Sequence, residues 1–317
     1  MIKPGFACVV GLVLTAFPPA FATSGPEPPR RLPGTFTGAA VEQGDADTRV
    51  MTFNIRYGTA NDGDNAWPQR RDLVFRVIRE FRPHVLGLQE ALRSQLDDLG
   101  AALPGYREVG VGRDDGRQRG EYAAIFYDAT RFELERDSTF WLSDRPEVPG
   151  SMTWGNRIPR ICTWAVLRDR GSGRALHVFN VHWDHESQES RERSARLLLE
   201  RIAAREPAGT PVIVTGDFNA GEANAAFRAL VKDPASVLRD TFRALHADAG
   251  TVGTFNAFRG ESSGEKIDAI LASPGWRVVD AGIVRDNDGG RYPSDHFPVT
   301  ATLRLHGEAG GGRATAR

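Results

Sequence analysis

Lysine is nearly missing from these 317 residues: it stands only at Lys3, Lys232 and Lys266, so the 40 basic side chains are almost all arginine. With no lysine-rich stripe or basic arm, the chain lacks the extended phosphate track that nonspecific duplex binding uses. A net charge of −1 likewise provides no global field to draw in nucleic acid or an anionic membrane, so any phosphate recognition has to be local. The arginines accompany many Ala and Gly residues, a compositional bias rather than a set of phosphate forks. Cysteine is scarcer still, at Cys8 and Cys162 only. The apolar run from Phe6 to Phe17 is too short to span a bilayer, so no stable membrane anchor is expected.

What is present begins with MIKPGFACVVGLVLTAFPPAFA, where Lys3 precedes that apolar run and Ala20-Phe21-Ala22 follows it. This is the layout of a secretory signal peptide over residues 1–22, and it implies a periplasmic or secreted protein. Its removal leaves Cys162 alone, so the mature chain forms no internal disulfide and its stability must come from its core. Cys162 itself, within ICTWAVL, reads as a buried strand residue. Residues 23–48 are rich in Pro and Gly without an apolar period and read as a flexible linker; residues 306–317 read as a disordered tail. Residues 49–305 remain as one domain, expected to be monomeric.

Periodicity divides that domain. RVMTFNI and VLGLQE read as strands, each followed by a helical pattern, over Trp67 to Phe81 and Leu92 to Leu103. YAAIFY, RFELERDSTFWL, RICTWAVLRD and ALHVFNVHW read as strands joined by short turns. A helix over Ser187 to Arg205, the strand VIVTGD, a helix around Ala223 to Val231, and the strands KIDAILA, WRVVDAGIV and HFPVTATLRL complete the chain. The economical arrangement is an α/β sandwich of four layers, with two mixed sheets face to face and helices outside.

Polar residues recur where these strands end: Asn54, Glu90, His182, Asp217 and Asn219 after a glycine turn, Asp268, and Asp295-His296. Any one has an ordinary explanation as a cap or turn residue. Together they point to a shared site, because buried polar groups need partners. Carboxylates and amides without cysteine suit Mg²⁺, with Mn²⁺ as a substitute. Displacement at phosphorus needs such a cation, a base for water and donors for growing charge. Strand alternation puts Asn180 and His182 on one face, which makes Asn180 a further candidate for substrate binding.

TFNIR, LQE, NVHWDH, GDFN, KIDAIL and SDHFPV, in that order, closely resemble the endonuclease/exonuclease/phosphatase superfamily with its deoxyribonuclease I-like fold. The resemblance implies hydrolysis of a phosphate ester, with Glu90 as chief metal ligand, Asn54 beside it and Asp295 in support. It further implies that Asp217 and Asn219 activate water, that Asp268 charges His296 against the phosphate, and that His182 contacts the phosphate or protonates the leaving oxygen. The stretches TANDGDNAWPQRR, GRDDGRQRGE and GSMTWGNRIPRICTW are similar to a large exported bacterial branch. Within them and beside NVHW, Glu121, Trp154, Arg157, Arg160 and Trp183 are candidates to line a substrate cleft. Asp62, Asp64, Asp114 and Asp115 read as solvated turn residues.

The expected activity is that of an exported phosphodiesterase acting on a small, lipid-linked or glycan-linked phosphate ester. The alternatives are a secreted nuclease, with nucleic acid as a less favoured partner, and a non-catalytic phosphate-ligand binding protein.

Overall fold

The computed structural model describes residues 47–232 and 238–306. The expected signal peptide, most of the linker and all of the tail beyond His306 lie outside the described residues. The linker boundary needs correction, because the first strand begins at Asp47, which is buried and bonded to Arg304 at 2.5 and 2.7 Å.

In chain order the strands are β1 (Asp47–Asn54), β2 (Val85–Ala91), β3 (Tyr106–Val109), β4 (Tyr122–Asp128), β5 (Phe132–Trp141), β6 (Ile161–Asp169), β7 (Ala175–His182), β8 (Val212–Asp217), β9 (Arg239–Asp240), β10 (Asp268–Ala272), β11 (Trp276–Ile283) and β12 (Val299–Leu305). The helices are α1 (Trp67–Phe81), α2 (Arg93–Ala102), α3 (Gln188–Ala203), α4 (Ala225–Val231) and α5 (Thr241–Leu245). One six-stranded sheet runs β11-β12-β1-β2-β4-β3 and the other β5-β6-β7-β8-β10-β9. Both are mixed: β1 and β2 are parallel, as are β7 and β8, and the other neighbours are antiparallel.

Alternation builds the layers. Val50, Val85, Ile125, Val178, Ile213 and Ile270 face inward and pack sheet against sheet. Their neighbours face outward: Met51, Phe53 and Leu86 under α1 and α2, and Phe179, Val181 and Val214 under α3 and α4. The expected sandwich of two mixed sheets with helices outside is therefore the observed fold. Cys162 is buried in the outer layer of the second sheet, where burial raises its thiol pKa. The short β3, β9 and α5 were not apparent in the sequence pattern, since segments of two to five residues show no usable period.

Each parallel pair needs a crossover, made by α1 and α3, and so ends its two strands on the same edge. Gly216 does not form the expected turn. It lies within β8, pairing with Val181 and Ala269, and a Cβ there would come within 2.4 Å of Val181 Cγ2. The chain turns later, at Asn219, whose φ is +45°.

Candidate active site

At the shared edge the inward positions change from apolar to polar. Thr52, Gln89, Asn180 and Thr215 are each 0% exposed between the sheets. Asn180 Nδ2 donates to the carbonyls of Leu88 and Ala124 at 2.8 Å, and Asn180 Oδ1 accepts from Gln89 Nε2 at 2.6 Å and Thr215 Oγ1 at 3.0 Å. With all its bonding capacity used inside the protein, Asn180 binds sheet to sheet rather than substrate.

Beyond this layer opens a cavity of about 780 Å³, lined by Glu90, His182, Asp217, Asn219, Asp295 and His296 among others. Asp217 Oδ2 accepts from Asn54 Nδ2 at 2.9 Å, and Oδ1 accepts from the Asn219 N–H at 2.9 Å. His182 Nε2 and His296 Nε2 lie 3.6 and 3.9 Å from Asp217 Oδ2. Burial and the charge of Asp268 raise the Asp217 carboxyl to about 7, where it can take a proton from water near neutrality.

The two histidines differ in charge. His296 Nδ1 lies 2.9 Å from Asp268 Oδ2. Burial alone would lower its pKa, but the charges of Asp268, Asp217 and Asp295 overcome that and hold it well above the usual imidazole range. His182 is pushed well below that range, first by burial and then by Arg160 and Arg113. It is therefore neutral here, suited to donating a hydrogen bond to a phosphate rather than a proton to the leaving oxygen. Glu121, 3.9 Å from His182 Nδ1, is clasped by Arg113 through two bonds of 2.7 Å.

Glu90 and Asp295 form the other half of the site. Glu90 Oε1 accepts from Asn54 Nδ2 at 3.0 Å and Oε2 from the Tyr57 N–H at 3.2 Å. Burial raises the Asp295 carboxyl pKa, the His296 charge pulls it back, and Glu90 pushes it up again. Two neighbouring carboxylates, with the Asn54 amide oxygen beside them accepting from the Arg56 N–H at 3.0 Å, offer hard oxygen ligands for a divalent cation, set against the nearby charges of Arg56 and His296. Asp217, Asp268 and His296 also offer atoms within 4.8 Å of one another. There, however, the cationic imidazole already neutralises Asp268, so the Glu90 side is the better cation site.

The other candidates separate. Arg160 and Glu121 line the cavity, Arg160 with Asp184 at 3.4 Å and His185 at 2.7 Å. Trp154 and Trp183 do not line it. Trp154 is buried, donating to Asp144, and Trp183 is 0% exposed edge-on to Phe218 at 5.0 Å. Arg157 faces solvent with its side chain 86% exposed, 3.7 Å from Glu186. Asp62 is held by Arg56, and Asp115 accepts the N–H groups of Arg117 and Arg119, as turn residues do. The sequence reading missed Arg56, Arg113, His185 and Phe255 in the lining. A signal for Arg56 was available, since it closes the TFNIR stretch, but its φ of +55° was not.

Comparison with known proteins gives this arrangement a family. The sequence pattern of the Endonuclease/Exonuclease/phosphatase family matches residues 51–296. The chain belongs to the Endonuclease/Exonuclease/phosphatase family. Members of this family are phosphoester hydrolases, generally dependent on divalent metal. Among solved structures, the chain is similar to a family protein of Bacteroides vulgatus, at 36% identity and TM-score 0.76, covering 82% of this chain and 99% of that one. A mannosyl-6-phosphatase of Bacteroides thetaiotaomicron VPI-5482 is similar at 34% identity and TM-score 0.75, covering 81% and 100%. A relative in Acanthamoeba polyphaga mimivirus, protein L388, is 29% identical over 180 residues. The chain spans about two thirds or less of the length of the curated relatives it matches.

Proposed function

We propose that this family member hydrolyses a small or glycan-linked phosphate ester by metal-assisted attack of water. The observation that carries the reading is one cavity joining a carboxylate titrating near 7, Asp217, to a cationic imidazole, His296, beside the Glu90–Asp295 pair. Asp217 takes the proton of the attacking water, which the Asn219 turn helps to place. His296, charged by Asp268, and neutral His182 donate to the phosphoryl oxygens as negative charge grows. A divalent cation held by Glu90, Asp295 and Asn54, Mg²⁺ or Mn²⁺, would supply further stabilisation of that charge.

A small ester is favoured over a polyanion because the arginines at the cavity are matched by carboxylates: Arg56 by Asp62, Arg113 by Glu121 and Arg160 by Asp184. The similarity to a mannosyl-6-phosphatase makes sugar phosphates the first compounds to try. A cavity of about 780 Å³ is large enough to admit a small diester as well as a monoester. We further propose an exported monomer; among the described residues no helix is long and apolar enough to cross a membrane. The test is turnover of bis(p-nitrophenyl) phosphate, p-nitrophenyl phosphate, sugar phosphates, a phospholipid and DNA, with Mg²⁺, Mn²⁺ or chelator. Chelator-sensitive cleavage of small esters without DNA cleavage is expected. Salt-sensitive DNA cleavage as the main activity would replace this reading with the nuclease, and no turnover at all would favour a binding protein.

A further inference from the structure

We propose that Arg70 is a positioning residue for this site, one that ties three loops together through their carbonyls and so sets where Arg56 and Asp295 point. The inference rests on the reading that Glu90, Asp295 and Asn54 hold a cation. Arg70 stands in the first turn of α1 and is 1% exposed. Its Nε donates to the Asn65 carbonyl at 2.8 Å, and one terminal nitrogen donates to the carbonyls of Ile55 at 2.7 Å and Pro293 at 2.9 Å. The other terminal nitrogen donates to the Arg56 carbonyl at 2.9 Å. The rings of Trp67 and Phe258 flank the guanidinium at 5.3 and 5.5 Å.

Three of those carbonyls belong to segments that carry site residues, and the fourth to the loop whose Asp62 grips Arg56. Ile55 and Arg56 follow Asn54 directly. Arg56 holds a positive φ that an arginine adopts only under constraint, while its guanidinium grips Asp62 and reaches to 3.8 Å from Asp295 Oδ2. Pro293 lies two residues before Asp295, and Ser294 Oγ donates to the Asn54 carbonyl at 2.7 Å, binding the same two loops a second time. Asn65 belongs to the loop that delivers Asp62. One planar fork thus fixes the entry to Asp295 against the exit from Asn54, a task that suits the fixed geometry of arginine and not the single ammonium of lysine.

The energetics argue against a role in the fold alone. Among the described residues no carboxylate lies within ion-pair distance of Arg70, and burial pulls its pKa down to about 10. A buried guanidinium held by neutral carbonyls, with the charges of Asp295, Asp62 and Glu90 only partly offsetting its burial, is a costly way to fill space when an apolar side chain would serve. This gives a role to Asn65, Trp67 and Arg70 of the stretch NAWPQRR, which the catalytic roles leave unexplained.

The test follows the melting temperature of the full chain as MgCl2 or MnCl2 is added, for wild type, Arg70→Lys, Arg70→Gln and Arg131→Lys. Arg131 is a control from the other end of the sandwich, holding Asp169, Thr48 and the Asp47 carbonyl. The expected result is a tenfold or greater rise in the metal concentration giving half the stabilisation in both Arg70 variants, against less than twofold in Arg131→Lys. With bis(p-nitrophenyl) phosphate at saturating metal, kcat should fall more than KM rises in the Arg70 variants. Equal metal demand in the Arg70 and Arg131 variants would overturn the proposal, leaving Arg70 a fold residue. Failure of both Arg70 variants to fold would overturn it in the same way. A wild type that metal does not stabilise would instead remove the cation reading beneath it.

Discussion

In the first sheet the parallel pair β1 and β2 ends in Asn54 and Glu90; in the second, the parallel pair β7 and β8 ends in His182 and Asp217. The strand orders match, six and six, and each central pair is joined by a helix laid outside its sheet. The chemistry delivered differs. The first sheet brings oxygen atoms and no imidazole, which suits a cation; the second brings a carboxylate beside an imidazole, backed by Asp268 from β10. Two segments cross the division: Asn54 Nδ2 bonds both Glu90 and Asp217, and the turn before β12 contributes Asp295 to one half and His296 to the other. The same topological device can therefore hold two different jobs a few ångströms apart, provided a shared amide fixes their spacing.

If the halves are distinct, substitutions should separate metal demand from proton chemistry. Asp217→Asn is expected to lower kcat by about 10³-fold, the scale of losing a positioned base, without changing the metal concentration needed. Glu90→Gln should lower activity by about 10²-fold at fixed metal and recover in part as metal is raised. Equal metal dependence in the two variants, followed by activity against MnCl2, would merge the halves into one site.

The next effect sharpens the second half alone. Activity should rise through about pH 7 as Asp217 loses its proton and fall at higher pH as His296 loses its own, a bell in pH. Removing the Asp268 charge lowers the pKa of both groups, so Asp268→Asn should shift both limbs toward acid. The loss should be greatest on the alkaline side, about tenfold or more. An unshifted alkaline limb in kcat/KM profiles would break the Asp268–His296 pairing.

Much of this division was legible in the sequence. Strand-terminal polar residues were readable because an apolar run that ends in Asp, Glu or His places that group at a sheet edge. The layers were readable because alternation and helical period are local. Alternation could assign Asn180 to an inward face, but not whether that face meets substrate or the other sheet, which depends on Gly87 letting Thr215 and Asn180 approach. Trp154 and Trp183 were misread for a related reason: an indole serves a core as well as a cleft. Arg70 carried no signal, since its partners are backbone carbonyls.

Asn180 joins the halves from beneath, and its replacement tests whether the join is structural. Asn180→Ala removes one partner each from Gln89 Nε2, Thr215 Oγ1 and the Leu88 and Ala124 carbonyls in a dry layer, leaving Gln89 its bond to Thr52 and Thr215 its bond to the Phe179 carbonyl. It should cost roughly 2–4 kcal/mol of stability on the scale of buried unpaired groups. In the folded fraction KM for a small ester should stay within about twofold. A large rise in KM with little loss in denaturant midpoint would return Asn180 to the substrate.

The smallest effect contrasts the site with the far end of the sandwich, where His84 accepts from the Arg49 N–H at 3.0 Å and faces Arg131. Burial, then Arg131 and Arg49, lower its pKa to about 3. The unfolded chain therefore takes up a proton near pH 6.5 that the native state refuses until about pH 3, and stability falls as pH drops through that window. One such group contributes at most roughly 1.4 kcal/mol per pH unit. His84→Gln should flatten the acid side of the stability curve while leaving the activity bell in place, because the two ends share no titrating group. If the bell moved with His84, the far end would be coupled to catalysis, and the contrast between a structural end and a reacting end would fail.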